Sequence, residues 1–170
     1  MAEQLEGATP FARAFQIFSA SRPTDLQEAI TRAVFWFSDA HRDSIPVMRF
    51  VKYWSCVECF FSLKSDDITQ SVSVGLASAL THGPFGFVRE EQYSETKQRI
   101  AKMYGLRSRA VHRAMHDHVT DDDVASLSQW SAWLIVNMIA LDEEGQTDRE
   151  LILSHFLTLA STPPKGPRTA

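Results

Sequence analysis

Apolar positions along this chain recur at helical rather than strand spacing. Phe50, Trp54, Val57 and Phe61 stand three or four residues apart and form one wide stripe, the mark of a helix that buries a face. Thr24 followed by Gln27 makes a capping-box-like start for a helix over residues 26–40. Ser44 and Pro46 open the helix that carries the stripe, and Asp66 or Asp67 opens the next, over residues 68–80. After the turn HGPFGF a polar helix is expected from about residue 89 to 104, with Gly105 interrupting it ahead of the basic segment LRSRAVHRAMHDH. Thr120 and Asp123 repeat the capping pattern before Trp130, Trp133, Leu134, Met138 and Leu141, and a last helix covers about 149–160. Nothing alternates convincingly with a period of two. The expected fold class is all-α, a helical bundle of about six helices forming one domain over residues 11–160, with disordered ends at 1–10 and 161–170.

Composition fits that reading. A chain of 170 residues, 44% hydrophobic and 22% charged, can bury a real core without disulfide or metal staples. The opening MAEQLEGATP carries early acids and no apolar run, so no secretory signal is expected there. Residues 68–88 and 124–141 lack charge over a membrane-relevant length, but glycines and a proline break the first and polar side chains dot the second. Both read as core helices, and the expectation is a cytoplasmic protein with no membrane partner. Cys56 and Cys59 form a lone C-x-x-C without a second pair to complete a zinc site, so two free thiols in a reducing compartment are expected.

The net charge of -4 gives no global basic field. Yet six of the 17 basic residues, Lys97, Arg99, Lys102, Arg107, Arg109 and Arg113, fall in one stretch without an acid. That stretch is either a solvated helix face or a phosphate-binding surface. Glu58 falls on the apolar stripe, where an ionised carboxylate must reach solvent at the helix edge or be held by a cation such as Arg107 or Arg109. His112 and His116 have the i, i+4 spacing of a metal pair, but no H-E-x-x-H pattern accompanies them. The aspartates at 121–123 already serve a helix start.

The most informative segment is Tyr104-Gly-Leu-Arg107-Ser-Arg109-Ala-Val-His112. An arginine and a histidine five residues apart are a weak signal alone. Together with the aromatic-rich helix carrying Glu58 and the basic helix that follows, they resemble the HEPN superfamily, especially its Apea-like branch. The likeness runs from about Ala29 to Leu141 and is concentrated in Tyr104–His112. Arg113 departs from the pattern, since the family commonly has glycine after the histidine; a bulky cation there narrows the groove or adds a phosphate contact. The resemblance implies a HEPN-like bundle that dimerises with its Arg–His motifs facing each other. It implies a metal-independent endoribonuclease needing no cofactor, with RNA as substrate. It also implies a toxin–antitoxin or antiviral defence setting, with an antitoxin or other regulatory protein as a further partner.

On that basis Arg107 and His112 are the catalytic candidates, supported by Tyr104, Ser108, Arg109, Arg113 and Glu58. Arginine suits a phosphate because its rigid fork donates bidentately. Histidine titrates near neutrality and moves protons. RNA supplies its own nucleophile, the 2′-hydroxyl. On one regular helix, however, a five-residue separation turns the two side chains about 140° apart and about 7.5 Å along the axis. A broken turn near Gly105, or a second copy across a two-fold axis, is needed to bring them to one phosphate. The rival expectations are a catalytically inactive HEPN module that binds RNA, a nucleotide or a partner protein, and an oligomerisation domain without ligand.

Overall fold

The structure, a computed structural model, describes residues 10–62, 67–113 and 118–161. Among them the chain forms seven α-helices and no strand: α1 (Pro10–Phe18), α2 (Asp25–Arg42), α3 (Pro46–Phe61), α4 (Ile68–His82), α5 (Tyr93–Arg113), α6 (Asp121–Glu143) and α7 (Arg149–Ser161). A single 3-10 turn, Glu90–Gln92, leads into α5. The protein is an all-α helical bundle. Of the ends expected to be disordered, Pro10 and Ser161 are helical, and the rest lie outside the described residues.

Local signals account for most helix starts. Thr24 accepts from the Gln27 amide while the Gln27 side chain returns a bond to Thr24, and Thr120 and Asp123 do the same for α6. Two orphan amides are satisfied each time. Asp67 caps α4 through the Gln70 amide. Ser44 is not the cap of α3. That place belongs to Ile45, which makes no side-chain bond, and Pro46 follows with its φ already helical. The helix beyond the expected number is α1, only nine residues long. Its hold is tertiary: Ile17 is buried, and the Arg13 Nε donates to Asp142 on α6 at 2.8 Å. The Gln27 side chain donates to the other oxygen of Asp142 at 3.0 Å, so this buried carboxylate is well supplied with donors.

Helix α3 is the axis of the bundle. Phe50, Tyr53, Trp54, Cys56, Val57, Phe60 and Phe61 are all buried, against α2 on one side and α4, α5, α6 and α7 on the others. The α2–α3 hairpin is pinned by Lys52, whose ammonium lies 2.8 Å from Asp39 and 2.7 Å from Asp43. Gly75 lets α4 close on α3, since a Cβ there would lie 2.6 Å from the Phe61 ring. Helix α6 is long and apolar enough to cross a membrane, but it packs within the bundle, with Leu127, Leu134 and Met138 in the core. Arg149 at the start of α7 closes the molecule by donating through Nε and Nη2 to the two oxygens of Asp25.

Gly105 does not interrupt anything. Helix α5 runs unbroken for 21 residues. A glycine costs about 1 kcal/mol in a helix interior. Burial of Ile100, Met103 and Leu106 on the inner face of α5 outweighs that cost.

Candidate functional site

Glu58 stands one turn after the buried Trp54, where the apolar stripe of α3 meets α5. Its carboxylate takes one donor from α5 on each oxygen: Arg107 Nη2 donates to Oε2 at 2.8 Å and the Tyr104 hydroxyl donates to Oε1 at 3.0 Å. Glu58 keeps 17% of its side-chain surface and Arg107 keeps 20%, so the pair lies at the rim of the core rather than inside it. Tyr104 and Arg107 sit three residues apart on one helix face. The guanidinium carbon of Arg107 lies 5.8 Å from the Tyr104 ring centre, and that ring meets Trp54 edge-on at 5.2 Å. The aromatic stripe thus sets the tyrosine, and tyrosine and carboxylate together set the arginine.

Burial pushes the Tyr104 hydroxyl up to about 12, and the neighbouring Glu58 charge acts in the same direction. The phenol therefore stays protonated and donates. Arg107 is anchored but not used up. One of its five N–H groups is held by Glu58, while its Nε is buried with no acceptor among the described residues. A guanidinium in this state can still take an oxyanion through its remaining donors, although the phosphate competes with Glu58 for the charge.

The other candidates are arranged differently. Ser108 and Arg109 are exposed and take no part in the Glu58 cluster. His112 and Arg113 fall in the last turn of α5, and His116 lies outside the described residues. Because α5 is continuous past Gly105, positions 107 and 112 lie about 140° apart around one regular helix backbone. The broken turn that was to bring them together is absent. Arg99, counted with the basic stretch, is occupied structurally: its Nη2 donates to Asp122 at 2.6 Å and to the Ser126 hydroxyl at 2.9 Å, and its guanidinium lies over Trp130. Cys56 and Cys59 are free thiols, and burial raises both above the ordinary thiol range, which keeps them poor nucleophiles.

Compared with protein-family models, with curated proteins and with solved structures, the chain matches none. The site therefore rests on its own geometry. Glu58, Tyr104 and Arg107 are brought together by the fold. The Tyr104–Glu58 bond joins residues 46 apart in sequence, and no local spacing announces it.

Proposed function

We propose that this chain is a HEPN-type, metal-independent endoribonuclease that acts as a dimer in the cytosol, in a toxin–antitoxin or antiviral setting. The support is the state of Arg107: oriented by Glu58 and Tyr104 and still 20% exposed, with Nη N–H groups beyond the one given to Glu58. In this reading the RNA 2′-hydroxyl attacks the adjacent phosphorus and the bond to the 5′-oxygen breaks, leaving a 2′,3′-cyclic phosphate. His112 takes the hydroxyl proton and returns it to the leaving oxygen. Arg107 neutralises the charge developing on the phosphorane. With the helix unbroken, the Arg107 and His112 that serve one phosphate come from different copies, related by a two-fold axis. Ser108, Arg109 and Arg113 hold neighbouring phosphates.

One observation favours a second reading, a non-cutting module that binds RNA, a nucleotide or a partner protein. The Glu58 carboxylate, 2.8 Å from the guanidinium, already compensates its charge. Purified protein incubated with RNA in EDTA separates the two readings. The nuclease reading expects cleavage that EDTA leaves unchanged. It expects His112→Ala to lose about 10²–10⁴-fold in rate while RNA affinity holds. Arg107→Ala weakens both binding and cleavage, and Arg107→Lys restores charge without the fork. Cleavage by both alanine variants at the parental rate sinks it, and RNA binding without cleavage by the parent selects the module.

A further inference from the structure

Away from the Glu58 cluster, a groove of about 500 Å³ opens between the end of α4, the turn after α6 and one face of α7. That volume falls in the range of small-molecule sites, about 300–1,000 Å³. Its floor is apolar, formed by the nearly buried Phe156 and Ile152. Its walls carry two exposed imidazoles, His82 and His155, and its rim carries Glu144 and Gln146. Gly145 takes a φ of +89°, the Gln146 amide donates back to the Leu141 carbonyl at 2.9 Å, and the Gly145 amide donates to the Asp142 carbonyl at 3.1 Å. This glycine-terminated helix end turns the chain sharply and leaves Gln146 on the groove.

We infer that this groove is a recognition site for an unpaired, amino-bearing nucleobase (adenine, cytosine or guanine, as against uracil), with His82 and His155 as stacking rings and Gln146 and Glu144 reading the base edge. Histidine rings serve as stacking surfaces for splayed-out bases. A glutamine amide both donates and accepts, and a glutamate carboxylate accepts from an exocyclic amine. A carboxylate at the rim disfavours a bare phosphate. His82 also lines a second cavity of about 200 Å³, where Lys97 and Ser94 stand at the start of α5 and Glu90 again opposes a lone anion. The His82 and Tyr93 ring centres lie 5.5 Å apart, and the Lys97 ammonium lies 5.9 Å from the Tyr93 ring, so a strand leaving the base site meets a cation next. From Lys97 to Arg107 the axis of α5 covers about 15 Å, a span a few linked nucleotides can bridge. The groove would then choose which phosphate reaches Arg107, and to that extent the inference rests on the nuclease reading. Base binding by itself does not.

The test reads binding without cleavage. Titrations of the full chain with AMP, adenosine, CMP, UMP and short oligo(A) and oligo(U) strands are followed by calorimetry or by protein chemical shifts. The expected result is binding of AMP, adenosine or CMP over UMP, or of oligo(A) over oligo(U). His82→Ala and Gln146→Ala should each weaken it about tenfold, as removal of one stacking or edge contact does. Binding of the mononucleotides points to a free nucleotide as occupant, and binding of the strand alone points to RNA. Absence of binding at millimolar ligand, equal affinity for the uracil forms, or indifference to both substitutions in folded protein overturns the inference. None of these results depends on whether the protein cuts RNA. Loss of cleavage in His112→Ala with base binding retained would leave both proposals standing.

Discussion

At Arg107 a position that local chemistry would assign to solvent is drawn to the inner face of its helix. Glu58 makes this possible by meeting the guanidinium at 2.8 Å while Tyr104 takes the other oxygen. Glu58→Ala leaves the cation half-buried without its partner and should lower unfolding free energy by about 2 kcal/mol, measured by denaturant titration. Glu58→Gln keeps an acceptor and should cost less. If Glu58→Ala melts like the parent, the carboxylate does not position Arg107. Tyr104 makes a second, independent prediction. A free tyrosine loses its proton near pH 10.0, whereas this one holds it to about 12. Its contribution to stability is thus fully present below pH 10 and is lost as pH rises toward 12. The phenolate absorbance should show a tyrosine titrating near pH 12 that Tyr104→Phe removes.

Among the helices, α5 departs furthest from its local signals. Gly105 sits in its interior with open space where a Cβ would go. Gly105→Ala should therefore stabilise the chain by about 0.5–1 kcal/mol in thermal or denaturant unfolding. A loss of stability instead would mean that the backbone of α5 is not the regular helix described. Gly75→Ala should do the opposite, because its Cβ meets the Phe61 ring at 2.6 Å and buried aromatic packing has little room to give. The two glycines look alike in sequence and are set apart only by what stands opposite them. A buried polar anchor works the same way in the turn before α5: Asn137 on α6 accepts from the Phe85 amide at 2.8 Å and donates to the Trp133 carbonyl at 2.9 Å.

For the molecule as a whole, two tests follow. Because one helix cannot aim Arg107 and His112 at the same phosphate, the nuclease reading requires a dimer at working concentration. Light scattering at micromolar protein should give twice the chain mass, and a monomer that still cuts RNA would refute the two-copy site. The other concerns closure of the bundle. Asp25 is held below its ordinary carboxylate value mainly by the Arg149 hydrogen bond. A depressed carboxylate stabilises the fold above its unfolded value, near 3.8, and loses that effect as pH falls through the folded value. Asp25→Asn should therefore lower stability near neutrality, where the carboxylate is charged, and converge on the parent as pH falls through the folded value, so denaturant titrations across pH should show a flatter acid limb for the variant.

The sequence by itself determined most of the helices. Their apolar period, the Thr24–Gln27 and Thr120–Asp123 boxes, the Asp67 cap and Pro46 act within a few residues, so reading neighbours suffices. It also marked Glu58 as a carboxylate out of place on an apolar stripe and named Arg107 among its possible partners. Tertiary structure decided the rest. Helix α1 exists through Asp142, which lies 129 residues from Arg13, and no local pattern carries that information. The inner face of α5 carries it through Gly105, where propensity argued for a break. How two of the clustered cations are held was likewise decided across helices: Asp122 and Trp130 claim Arg99, and Glu58 and Tyr104 hold Arg107. Capping and periodicity are short-range, whereas burial and ion pairing depend on residues brought together from distant parts of the chain.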